Sequence, residues 1–206
     1  MNTIKISPEL VRKTIDFHGH SCPGLAIGIR ASEIALAEVG RSSDEEVVAV
    51  VENDNCAVDA IQFLISCTYG KGNLIHLDYG KLAFGFYRRS DGKAFRLTGR
   101  PCIFGNQEDT FMKLRKTKMA RNLNEEEEEL LKAATAARIK QIMEADPDDL
   151  FQMTPAHGPV PGRAQILKTM VCEACGEPTM ETRTRRFLGQ TLCIPCFEIR
   201  ESCVKK

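Results

Sequence analysis

The sequence contains no tryptophan, and only 6% of its 206 residues are aromatic. Proteins that grip single-stranded nucleic acid interleave aromatic rings with basic residues, so that class is poorly served here. Net charge is missing as well, since 28 Lys plus Arg stand against 28 Asp plus Glu. A global positive field for nucleic acid is thereby excluded, and so is a self-repelling disordered chain. Apolar runs of the roughly 20 residues needed to cross a bilayer are absent, and residues 1–10 lack the apolar core of a secretion leader. A soluble cytoplasmic protein without a membrane partner is expected.

What the chain has in plenty is cysteine. Nine Cys is an odd number, in a chain long enough to build a core without disulfide staples. A reducing compartment with metal or thiol chemistry is the expectation.

The strongest motif is carboxy-terminal. Cys172-Glu-Ala-Cys175 and Cys193-Ile-Pro-Cys196 are two C-x2-C pairs separated by seventeen residues. Each pair turns the backbone so that two thiolates face one ion, and two such knuckles complete a tetrahedral zinc site. Gly176 and Pro195 suit the knuckle turns. Four protein ligands leave no open position, so a structural Zn is expected at Cys172, Cys175, Cys193 and Cys196. Redox-active disulfides are the competing chemistry, and Cys203 has no partner at knuckle spacing. Arg183, Arg185, Arg186, Lys205 and Lys206 form a local basic group, yet nucleic acid is not the expected partner of a neutral, aromatic-poor chain.

A second group lies near the amino terminus. Two of the four His, His18 and His20, precede Cys22 in a loop that ends where Pro23 opens a helix. Imidazole and thiolate are preferred ligands for Zn and related ions. Cys56 stands at another expected helix start, with Asp59 one turn on. His20, Cys22 and Cys56, with His18 as a further donor, are expected to hold a second Zn or another transition metal, with both thiol pKa values lowered by the helix N-termini. The alternative is that both cysteines are small buried residues and both histidines polar groups of a tight turn. Cys67, Cys102, His76 and His157 are read as non-ligands. Gly70-Lys71-Gly72-Asn73 is not a phosphate loop, because G-x-x-x-x-G-K-[ST] is lacking and it follows a helix.

Periodicity gives the frame. Ser7-Pro8-Glu9 starts a helix, a second runs from Pro23 to Gly40, and a third carries Ala57, Val58, Ile61, Leu64 and Ile65 at helical spacing. Val47 to Val51 reads as a strand covered on both faces. Residues 74–77, 81–88 and 93–97 read as three further strands whose turns, Asp78-Tyr79-Gly80 and Ser90-Asp91-Gly92, favour antiparallel hairpins. Asn124 and Glu127 open a long helix with a capping box. The Pro- and Gly-rich stretch 154–164 is expected to be a linker between a domain at 1–153 and a module at 165–206. The fold class is α+β. Gly24, Gly28, Ala31 and Ala35 make one smooth helix face, suited to a homodimer contact.

The run Phe17-His18-Gly19-His20-Ser21-Cys22-Pro23-Gly24, then Asn55 to Gln62, Cys67 to Leu74 and Asp78 to Lys81, resembles the FmdE or FwdE family, named for a component of formylmethanofuran dehydrogenase. Ser66 departs from it, standing where the family pattern has Gly. The resemblance implies a helix, strand, helix and three-strand core with a mixed sheet, similar to the second domain of glyceraldehyde-3-phosphate dehydrogenase. It also implies a dimer, a metal at the His/Cys motif and association with a molybdenum or tungsten oxidoreductase, though not the component that holds the pterin metal. The functional expectation is a metal-binding accessory protein of such an enzyme. The other is a stand-alone enzyme in which Cys22 or Cys56 is a nucleophile or the metal holds a reactive water, His18 is the base and Lys71 orients a small anionic substrate.

Overall fold

In a computed structural model, residues 1–104 and 109–204 are described. The chain divides into two compact units, Met1–Arg163 and Ala164–Lys206.

Three helices open the first unit: α1 (Pro8–His18), α2 (Pro23–Glu38) and, after strand β1 (Val47–Val51), α3 (Ala57–Ile65). Ser7 caps α1 by accepting from the Leu10 amide, and Gly19 ends it in the left-handed region at φ +91°. Strands β2 (Leu74–His76), β3 (Ala83–Arg88) and β4 (Ala94–Gly99) follow, then α4 (Thr110–Ala120), α5 (Glu125–Glu144), the short α6 (Pro147–Leu150) and β5 (Phe151–Pro155). The capping box of α5 is present, with Asn124 accepting from the Glu127 amide and Glu127 reaching back to the Asn124 amide.

The sheet is mixed, with order β2-β1-β3-β4-β5. β1 is parallel to β2 and antiparallel to β3. The hairpin expected between residues 74–77 and 81–88 therefore does not form. A strand buried on both faces needs a neighbour on each edge, so the Asp78-Tyr79-Gly80 turn carries the chain across β1 to its far side. On one face Val47, Ala49 and Val51 pack with Ile27, Ile34, Ile61, Phe84 and Phe86. On the other, Val48, Val50 and Tyr87 lie under Ala156 and Val160. That second cover alters the reading of the stretch 154–164. Its first residues extend β5 along the sheet edge, the Tyr87 hydroxyl donates to the His157 carbonyl, and Arg89 donates to the Pro161 and Gly162 carbonyls. Pro and Gly here produce an irregular path over the sheet, where a spacer was expected.

The smooth face of α2 is occupied within the chain. A Cβ on Gly28 would lie 2.3 Å from the Ala57 carbonyl oxygen, so the α2 and α3 backbones touch there. Residues Leu25 to Ala35 are all buried. The homodimer contact expected of this face is thus blocked by α3.

In the second unit, β6 (Thr169–Val171) pairs with β7 (Pro178–Met180), and β8 (Thr184–Phe187) pairs with β9 (Gln190–Cys193), followed by α7 (Ile194–Val204). Its interior is small: Cys172, Leu192 and Cys193, with Phe187 set edge-on to Phe197 at 5.5 Å. Helices long and apolar enough to cross a membrane are absent among the described residues.

Candidate metal centres

The loop from His18 to Cys22 is built by two helix ends. Gly19 turns the chain out of α1, and Cys22, in extended backbone, caps α2 by accepting the Leu25 amide at 3.3 Å. Cys56 directly precedes α3 but caps nothing; the Asn55 side chain does so by accepting the Ala57 amide. The two cysteines meet because the helices touch at Gly28 and because Gly24 has no side chain, its Cβ position being 3.1 Å from Cys56 Cβ.

His18, His20, Cys22 and Cys56 offer donor atoms that all lie within 4.8 Å of one another. Tetrahedral Zn sites with imidazole and thiolate ligands hold donor atoms about 3.3 to 3.8 Å apart, so sub-ångström to ångström movements of side chains close this set on an ion. The His18 ring is already oriented: Nδ1 donates to Asp59 Oδ2 at 2.7 Å, and Nε2 lies 3.8 Å from Cys22 Sγ. A carboxylate on the far ring nitrogen fixes the tautomer that presents a lone pair to a metal. Gln62 in turn holds the other Asp59 oxygen. The His18 and His20 rings sit 4.4 Å apart. The group fits a transition-metal ion by donor chemistry, by spacing and by this support.

One electrostatic expectation is overturned. Burial, together with the neighbouring Cys22 thiol, pushes the Cys56 thiol up, where a helix N-terminus was expected to lower it. Desolvation and the adjacent Cys22 thiol outweigh the one backbone amide, its own, that favours the thiolate. A bound cation would reverse that balance.

The four carboxy-terminal cysteines also converge, their Sγ atoms within 4.8 Å of one another. The first knuckle sits in the β6–β7 turn, with the Gly176 amide donating to the Cys172 carbonyl and Gly176 at φ +76°. The second spans the end of β9 and the first turn of α7. Amides of Cys175, Cys193 and Ala174 hold the Cys172 thiol down to about 6, whereas hydrogen bonding with Cys193 and the other thiols pushes Cys196 up to about 12. Amides aimed at the Cys172 sulfur prepare it to bind a cation, while the crowding of neighbouring thiols holds the proton on Cys196 until one arrives.

Lys71 is placed elsewhere. Its ammonium donates to the Ser66 carbonyl at 2.6 Å, to the Ser66 hydroxyl and to the Asp44 carbonyl, at the opposite end of α3 from Cys56. Ser66 stands in the left-handed region at φ +63°, and Lys71 ties down that strained turn. Cys67 is fully buried and donates to the Val47 carbonyl, its thiol pushed up to about 12 by burial. His76 lines a small cleft with His18, Cys56 and Asp59. The Cys102 side chain, residues 105–108, Lys205 and Lys206 lie outside the described set.

Sequence reasoning gave Asp59 no role, although a carboxylate one turn after Cys56 was a usable signal. Nor did it give Phe111, Arg115 and Arg138 any part in the cleft of about 560 Å³ that they share with His20, Cys22 and Cys56. The first three come from α4 and α5, read only as a helical extension.

This pairing of a mixed-sheet core carrying a His/Cys centre with a four-cysteine module defines the class of protein. Residues 17–152 match the family described as "FmdE, Molybdenum formylmethanofuran dehydrogenase operon", and the chain belongs to that family. Residues 165–202 match the prokaryotic dksA/traR C4-type zinc finger. The crystal structure of an FmdE-like protein of tungsten formylmethanofuran dehydrogenase type from Syntrophus aciditrophicus superposes with a TM-score of 0.63 at 24% identity, covering 96% of this chain and 97% of that one. It shares the fold. A protein of Archaeoglobus fulgidus described as a probable S-adenosyl-L-methionine-binding protein is 32% identical over 202 residues. The match takes in 91% of this chain and 52% of that relative, so the chain spans about half the relative's length.

Proposed function

We propose that this chain is a metal-binding accessory protein in which His18, His20, Cys22 and Cys56 hold one transition-metal ion, zinc foremost. Cys172, Cys175, Cys193 and Cys196 hold a structural Zn. The partner in this reading is a molybdenum or tungsten oxidoreductase of the formylmethanofuran dehydrogenase type, which the chain serves in the cytoplasm as subunit, maturation factor or metal carrier. Support for that association is family membership. A homodimer belongs to the same reading, carried by the family resemblance and not by the occupied face of α2.

The observation that carries the metal reading is the convergence of four donors from the end of α1, the loop after it and the starts of α2 and α3, with Asp59 already holding the far nitrogen of His18. Elemental analysis of the full chain tests it. Two metal equivalents are expected, and Cys22→Ser and Cys56→Ser should each leave one. If both variants keep two, the reading is wrong.

The cleft beside the centre favours a second reading, a stand-alone enzyme. Cys22 or Cys56 then acts as nucleophile and His18 as base, with Lys71 excluded by its place at the far end of α3. Binding of S-adenosyl-L-methionine, the property in the relative's description, belongs to this second reading.

A further inference from the structure

The cleft that opens beside His20, Cys22 and Cys56 has a composition that goes beyond metal holding. Its walls include Ile27, Ile103, Phe111, Met112 and Leu131, and a volume of about 560 Å³ is within the range of small-molecule sites. Its charged residues are all of one sign. Arg115, Lys118 and Arg138 line it, and Asp and Glu are absent from its described lining.

The three cations differ in what they have left to offer. Arg138 is bonded to Asp109 at 2.7 Å, and Lys118 to Glu128 at 3.1 Å. Arg115 has no carboxylate partner among the described residues, and its guanidinium lies over the Phe111 ring at 5.6 Å from the centroid. Stacking on a ring one helical turn away holds the guanidinium plane while its N–H fork stays available. At the other end, an ion held by two thiolates and two neutral imidazoles would carry no net positive or negative charge in the divalent state. That end neither repels nor competes for an anion.

We infer that this cleft binds a small organic carboxylate with an apolar, flat body, its carboxylate on the Arg115 guanidinium and its body between Ile27 and Phe111 beside the metal centre. The inference deepens the metal reading but rests on it only for what lies at the inner end. A single available fork on an apolar wall favours a planar bidentate anion over a bare inorganic ion, which would leave the apolar lining uncovered.

Calorimetric titration of the full, zinc-loaded chain with 2-naphthoate and with its neutral counterpart 2-naphthamide tests this. The carboxylate should bind about tenfold more tightly than the amide, the size of one charge-assisted contact at a partly solvated site. Arg115→Ala should abolish that preference, and Arg115→Lys should keep part of it, which separates lost charge from lost fold. Equal affinity for both probes, no binding of either, or a preference that survives Arg115→Ala would overturn the inference. Metal content is measured on the same samples: a chain that lacks the second metal yet prefers naphthoate refutes the metal reading and leaves this one standing.

Discussion

At the scale of single residues, the proposed amino-terminal metal centre is supported by one that is not among its four candidate ligands. Asp59 accepts from His18 Nδ1 and is itself held by Gln62, so the imidazole reaches the centre with its lone pair already aimed. Asp59→Asn keeps the size but offers a mixed donor and acceptor, and the His18 tautomer is no longer fixed. Metal affinity at this centre is expected to fall roughly 10- to 100-fold, the usual effect of losing such a partner. Competition with a chromophoric chelator would read it, and an unchanged affinity would place His18 outside the ligand set. The carboxy-terminal zinc should be released at the same chelator concentration as before.

The elements matter through one crossing. α2 and α3 are each directly preceded by a cysteine, and the two starts meet only because the backbones touch at Gly28 and Ala57. Gly28→Ala would put a Cβ 2.3 Å from the Ala57 carbonyl oxygen, against backbone that cannot rotate away. A loss of about 1 to 3 kcal/mol in stability is expected from such overpacking, despite the better helix propensity of Ala. Chemical denaturation measures this loss. Pushing the helix starts apart should also weaken the amino-terminal metal, linking a buried crossing to the centre. A variant as stable as the parent, with metal unchanged, would show that the helices can slide.

Across the whole molecule the two centres have different relations to the fold. The first unit buries apolar side chains on both faces of a five-stranded sheet, so its folding is expected to proceed without a metal. The second unit has only Leu192, two cysteines and a few partly covered neighbours inside, too little to offset the entropy of ordering about forty residues. Chelation is therefore expected to unfold the second unit while leaving the first intact. A fragment ending at Arg163 should keep its helical circular dichroism, melt cooperatively and contain one metal equivalent fewer than the full chain. Recovery of the full metal content in that fragment would refute the zinc assignment at Cys172 to Cys196. Arg163 is the right end point because residues 156–162 cover the sheet, and a cut at 153 would remove that cover.

Short-range chemistry was legible from the sequence alone. The C-x2-C pairs, the His18 to Cys22 loop, the caps of α1 and α5 and the doubly buried β1 follow from spacing, backbone preference and apolar run length, each within a few residues. Tertiary structure decided what lies between distant positions. It brought Cys56 to Cys22 through a glycine contact, sent β2 and β3 to opposite sides of β1, spread residues 156–160 over the sheet and placed Lys71 on a helix end instead of in a site. It also set Arg115 and Phe111 beside the His/Cys cluster, and raised the Cys56 thiol by burial where local reasoning lowered it. The physical reason is common to these cases. Spacing records which groups a turn or helix presents, whereas desolvation and close approach depend on what other segments cover, and that is a property of the packed chain.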